Sequence, residues 1–258
     1  MGTLDSVPDN FLGLPVEHSD YTASKVVILP VPYEATTTCR RGTKNGPNAI
    51  ISASKNLELY DEELEGETYE IGIHTLGPLG PVSRPRDMVR RVEQVLARLI
   101  DDSKFPVVLG GEHTLSLGVV KALKSTCPSL SVLSLDAHAD LRDTYSGTPY
   151  SHACVMRRIV DLTPVVEVGV RSLSKEEALF REDRNLPVYP PQEIERRREE
   201  ILSNLSDDVY VTMDLDVLDP SIMPSVGTPE PGGLLWHETL AFLREVAHKK
   251  NCLLYTSD

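Results

Sequence analysis

Leu130-Ser131-Val132-Leu133-Ser134-Leu135-Asp136-Ala137-His138-Ala139-Asp140 passes from an apolar run straight into three side chains able to bind a metal. The first half reads as a buried strand and the second as its carboxyl end, where open α/β sheets collect their active-site groups. Two other stretches repeat the pattern. Pro106-Val107-Val108-Leu109 leads into Gly110-Gly111-Glu112-His113, and Val209-Tyr210-Val211-Thr212-Met213 leads into Asp214-Leu215-Asp216. If the segment after Leu135 stays extended, alternate side chains point one way. Asp136, His138 and Asp140 then face a common point, and Asp214 with Asp216 repeats the arrangement on a second strand end.

Outward from these motifs, residues 26–32 read as the first core strand and residues 165–170 as another. Helical spacing marks residues 89–100, 114–124, 155–160, 175–184, 191–205 and 237–247, and Pro47 suits the first turn of a helix ending near Leu59. Strands alternating with helices predict one three-layer α/β/α domain over residues 1–258, with a parallel sheet covered on both faces. Residues 1–20 are expected as an irregular arm and the acidic run 61–70 as a solvated loop.

Composition narrows the function. The 258 residues are 40% hydrophobic and 25% charged, the balance of a globular protein, and no run approaches a membrane span. A net charge of −13 disfavours nucleic acid as a partner and is compatible with a small cationic substrate. Residues 1–10 lack the basic and apolar blocks of a secretory signal, so a cytoplasmic location is expected. Cys39, Cys127, Cys154 and Cys252 form no Cys-x-x-Cys pair and are expected as buried or half-buried free thiols.

Asp-x-Asp alone is usually a turn or a cap, and a lone histidine usually a packing residue. Here three strand ends each carry such groups, and crowded carboxylates repel one another unless a cation compensates them. Carboxylates with some imidazole and no thiolate suit Mn²⁺ or Mg²⁺, whereas cysteines would favour Zn²⁺, and the histidine donors make Mn²⁺ a better fit than Mg²⁺. Two such ions roughly 3.5–4 Å apart can share carboxylates and activate a water for hydrolysis.

Together with Ser134-Leu135 and Met213 before them and Val217-Leu218-Asp219-Pro220 after, these motifs resemble the ureohydrolases, the arginase and agmatinase family. Gly227-Thr228-Pro229-Glu230-Pro231-Gly232-Gly233-Leu234 matches a further family stretch, and the likeness runs from about residue 26 to 249. The resemblance implies an arginase-like fold and two Mn²⁺ per chain. One ion would take His113, Asp136, Asp140 and Asp214; the other would take Asp136, His138, Asp214 and Asp216. It also implies attack of an activated water on a guanidinium carbon, with collapse to urea and an amine. Asp140 matches the proton carrier of that collapse, His152 the mobile acid/base histidine, and Thr228 a position near the substrate. Trimers or hexamers are common in the family, so a homo-oligomer is expected.

The segment Leu141-Arg142-Asp143-Thr144-Tyr145 lacks the Asn-containing and Ser-Gly-Asn-type pattern with which arginases hold an α-carboxylate. It resembles the agmatinase branch, with Arg142 a candidate substrate-side residue. Agmatine, cleaved to putrescine and urea in polyamine biosynthesis, is the expected substrate; guanidinobutyrate or arginine is the alternative. The family's last strand usually ends in Asp-x-x-Glu, whose Glu binds the guanidinium. No matching Glu is present, and residues 252–258 read as a foreign tail, with the last strand and helix expected to be missing and a sheet edge bare. A catalytically silent structural subunit is therefore a second reading, and a single-zinc deacetylase on a related fold a third. His113 and the second Asp of each cluster argue against the last.

Overall fold

The computed structural model describes residues 9–258. Among the described residues, eight strands form one sheet in the order β2-β1-β3-β8-β7-β4-β5-β6. They are β1 Val26–Pro30, β2 Ile73–Thr75, β3 Phe105–Leu109, β4 Ser131–Leu135, β5 Val165–Val168, β6 Val188–Tyr189, β7 Asp208–Met213 and β8 Asn251–Ser257. Every pairing is parallel. The helices are α1 Val16–Ser19, α2 Gly46–Ser54, α3 Pro85–Asp101, α4 Ser116–Lys124, α5 Val155–Val160, α6 Lys175–Arg184, α7 Ile194–Ser203 and α8 Trp236–Lys249.

Strand alternation divides the core in two. Val132, Val165, Tyr210 and Leu254 pack with Val92 of α3, Leu117 of α4 and Ile159 of α5. Leu133, Leu135, Val166, Val168, Val209 and Val211 pack on the opposite face with Ile201 of α7 and Phe242 of α8. This is the expected three-layer α/β/α arrangement, and burial on both faces explains why the strands read as near-continuous apolar runs.

The register positions the site. Leu109, Ser257, Met213 and Leu135 are matched across four adjacent strands, β3, β8, β7 and β4. Whatever follows each of them therefore leaves the sheet at one height, and the residues that follow are Gly110, Asp258, Asp214 and Asp136.

Several expectations change. The strand expected to be missing is present: residues 251–257 form β8, paired on both sides between β3 and β7, so they lie inside the sheet and leave no bare edge there. Tyr255 and Thr256 are good strand formers, and Leu254 and Thr256 are buried. Of the irregular arm, residues 1–8 lie outside the described residues, while 11–13 and 16–19 are short helical turns. The helix expected to reach Leu59 stops at Ser54. The cysteines are unpaired, but Cys39 is exposed rather than buried.

Candidate metal centre

His113 follows β3 on a single 3-10 turn, His113–Leu115. Gly111, just before it, passes so close to the chain that an added Cβ would lie 2.1 Å from the Tyr33 carbonyl oxygen, so only glycine fits. Thr212 on β7 sets the ring: its Oγ1 is 3.2 Å from His113 Nε2, which leaves Nδ1 facing the carboxylates.

Asp136 continues β4 directly, and His138 keeps a parallel bridge to Ser172. The extended conformation ends at Asp140, which has φ +49. This costly left-handed backbone is held from two sides. The Asp140 carbonyl accepts from Met156 N at 3.1 Å and Arg157 N at 3.3 Å at the start of α5. Leu141 N donates to Glu177 Oε1 at 3.1 Å, and Glu177 also completes the capping box of α6. Asp214-x-Asp216 departs from the expected extended form as well. Asp214 is extended, but Leu215–Val217 is a 3-10 turn capped by the Asp214 side chain, with Asp216 N donating to Asp214 Oδ1 at 3.0 Å.

The donors converge in overlapping groups. His113, Asp136 and Asp140 form one; Asp136, His138 and Asp216 form another; His113 also groups with Asp214 and Asp258. His113 Nδ1 lies 3.0 Å from Asp136 Oδ2 and 3.1 Å from Asp140 Oδ2, while His138 Nδ1 lies 2.9 Å from Asp216 Oδ2. Donors about 2.1 Å from one cation and at right angles stand roughly 3 Å apart, so these spacings fit a coordination shell. Asp136 Oδ2, deeply buried, has no hydrogen-bond partner of good geometry despite its short contact to His113, as expected of an oxygen whose natural partner is a cation. The all-oxygen-and-imidazole set suits a pair of divalent cations sharing Asp136.

Charge crowding points the same way. Burial pushes the Asp140 carboxyl up to about 7, with Asp136 adding to it. Burial and the carboxylates of Asp216, Asp136 and Asp258 raise Asp214 well above the usual range. For His138, burial opposes the charge, but Asp136 and Asp216 overcome it and push the imidazole up to about 11. The carboxylates thus compete for positive charge that protons supply only in part.

His152, on the 3-10 turn His152–Cys154 before α5, stands at the rim and lines the cleft on both sides of the donors. Burial, then the charge of His113, lowers it to about 4, so it is a neutral imidazole at neutral pH. Thr228 donates to Asp216 Oδ2 at 3.3 Å. Arg142 lines the cleft mouth, 3.9 Å from Glu177 Oε2 and stacked over the Tyr145 ring.

Three features escape the sequence reading. Asp258 enters the donor group from the end of β8. Arg171 donates to six backbone carbonyls, including Asp216 O at 2.8 Å and Glu230 O at 2.7 Å, and so ties the turn carrying Asp216 to the loop carrying Thr228. Thr36, Thr38 and Glu112 surround or support His152. The run Thr36-Thr37-Thr38 does follow a strand's carboxyl end, which was the signal available for it.

Comparisons with known proteins point to one family. The model of the Arginase family matches residues 24–255. An N(1)-aminopropylagmatine ureohydrolase from Synechocystis sp. is 40% identical across 91% of this chain and 81% of its own length. An agmatinase from Bacillus cereus is 36% identical across 90% of this chain and 81% of its own. Among solved structures, the agmatine ureohydrolase of Thermoplasma volcanium superposes with a TM-score of 0.86 at 28% identity, covering 100% of this chain and 86% of that one.

Proposed function

We propose, for a chain that belongs to the arginase family and is thereby a ureohydrolase, that it releases urea from a linear guanidinoalkylamine with two Mn²⁺ ions bound. The observation that carries this is the pair of donor groups sharing Asp136, drawn from the ends of β3, β4 and β7. His113, Asp136, Asp140 and Asp214 would hold one ion, and Asp136, His138, Asp214 and Asp216 the other. Bound there, the ions would supply a water nucleophile near neutral pH.

The protein's own residues do the rest. Asp140, buried within the donor groups, passes a proton from the nucleophile to the departing amine. His152 exchanges protons at the rim, and Thr228 holds the guanidinium side of the cleft against Asp216. The segment carrying Arg142 lacks the arginase-type pattern for holding an α-carboxylate, which supports an amine over an amino acid as substrate. Agmatine and its N1-aminopropyl derivative are the two candidates, the second favoured by the Synechocystis relative. Formation of a polyamine, a cytoplasmic location and a trimeric or hexameric assembly belong to the same proposal. Among the described residues, no helix is long and apolar enough to cross a membrane.

The purified protein is to be analysed for bound metal and assayed for urea release from agmatine, N1-aminopropylagmatine, arginine and guanidinobutyrate. Two Mn per chain with urea from either of the first two is expected. One tightly held Zn, or two Mn with no urea from any substrate, would sink the proposal.

A further inference from the structure

His152 is the centre of a hydrogen-bond chain whose direction the atoms decide. Thr36 Oγ1 lies 2.7 Å from Glu112 Oε2 and 3.1 Å from His152 Nδ1, and it accepts the His152 backbone N–H at 3.2 Å. On the other side of the ring, Thr38 Oγ1 lies 2.9 Å from His152 Nε2 and accepts the Tyr145 hydroxyl at 3.0 Å. Glu112 is buried, and its Oε1 already accepts the backbone N–H groups of Ala35 and Thr36.

A threonine hydroxyl has one hydrogen and two lone pairs. The Thr36 hydrogen is claimed by Glu112 Oε2, because turning it elsewhere would strip a buried carboxylate oxygen of its donor. Toward His152 the Thr36 oxygen can then only accept, so Nδ1 must carry the ring proton of the neutral imidazole. Nε2 is left bare, and Thr38, which accepts from Tyr145, donates to it. Every donor and acceptor of Thr36 is used, and the chain runs one way: Tyr145 to Thr38 to Nε2, and Nδ1 to Thr36 to Glu112.

We infer that Glu112, acting through Thr36, is a positioning residue that locks His152 in the Nδ1–H tautomer and so makes Nε2, on the side of Thr38 and the cleft, the nitrogen that takes protons from the reaction by way of the Thr38 hydroxyl that donates to it. The functional part rests on the acid/base role proposed for His152; the tautomer itself does not. Tautomer control by the partner of the far ring nitrogen is how enzymes aim a histidine.

The test is long-range ¹H–¹⁵N correlation NMR on histidine-labelled protein loaded with diamagnetic Mg²⁺. His152 is assigned among the 7 histidines by the signals lost in His152→Asn. The wild type is expected to show a protonated Nδ1 and a bare Nε2. Thr36→Val removes the acceptor and should move the population toward Nε2–H, with Thr36→Ser restoring it. Glu112→Gln keeps Oε1 for the two backbone groups but places an amide N–H against Thr36. The Thr36 hydrogen is then free to turn to Nδ1, and the tautomer should reverse. In turnover, Thr36→Val should lower kcat about tenfold or more while KM stays within about twofold. A wild type with Nε2 protonated, or a Thr36→Val protein with an unchanged tautomer, overturns the inference. A locked tautomer in a protein that releases no urea removes the proposed reaction and leaves the lock standing.

Discussion

At the scale of single residues, a costly group lies beside the site, one strand over from β4. Glu167 on β5 is buried, and neither carboxylate oxygen has a hydrogen-bond partner among the described residues. It is level with Ser134 of β4, whose hydroxyl is also unpartnered. Burial, reinforced by Asp136 and Asp140, raises its carboxyl well above 4.5, so the fold favours the protonated form. Stability from that form is intact below about 4.5 and is lost as pH climbs through the raised value. Glu167→Gln, a neutral isostere, should therefore leave stability near wild type at pH 4 and raise it at pH 8 by roughly 1–3 kcal/mol. Thermal melts of both proteins at the two pH values check this; a Gln variant no more stable at pH 8 would contradict it. Glu167 was invisible in the sequence because one glutamate inside an apolar strand run has no pattern of its own. His113, Asp136, His138, Asp140, Asp214 and Asp216 were legible because spacing and position after three strands reinforce one another. Asp258 was not, since nothing local marks one aspartate after Thr256-Ser257 as joining the donor group.

At the scale of elements, strands with long apolar runs and helices with full amphipathic turns could be read directly. The short strands β2 and β6 could not, because three and two residues carry too little periodicity. β8 departs from the family's usual Asp-x-x-Glu ending, and its strand character rests on its own residues and on pairing with β3 and β7. Turns behaved similarly: the 3-10 turn at Leu215–Val217 and the left-handed Asp140 depend on tertiary hydrogen bonds that spacing does not show. Arg171 is the clearest such case. Its guanidinium serves carbonyls of residues 169, 216, 217, 218, 230 and 231, a fan of donors that a lysine ammonium cannot reproduce. Arg171→Lys should loosen the turn that presents Asp214 and Asp216 while leaving the sheet intact. The expected result is a metal affinity weakened roughly 10–100-fold at the second ion, with circular dichroism unchanged. Mn²⁺ titration by calorimetry reads it, and an affinity equal to wild type would show that the clamp does not support the site.

At the scale of the whole molecule, the four central strands end in a ring of acids that only bound charge can relieve. β3, β8, β7 and β4 are held together by ladder hydrogen bonds, yet Asp136, Asp140, Asp214, Asp216 and Asp258 gather at their ends. A cation that binds this arrangement and not the unfolded chain stabilises the fold by about 2.7 kcal/mol at a hundredfold excess over Kd. In a chain of this length that corresponds to a Tm roughly 5–11 °C higher. Chelation should remove that increment, and added Mn²⁺ should restore it. The increment should also depend on pH, because cations displace protons from the same atoms. Without metal, pairing of His138 with Asp136 and Asp216 stabilises the fold fully below its ordinary 6.5 and is lost as pH rises through about 11. Asp140, pushed up to about 7, likewise favours the fold when protonated and adds repulsion once it ionises. The metal-free protein should thus weaken from pH 6 to pH 9 while the loaded protein, with its acids compensated, holds. Melts in chelator and in Mn²⁺ across that range should show the gap in Tm widening with pH. A gap that is absent, or that narrows toward pH 9, would mean that the acidic ring is not where the metal-linked stability resides.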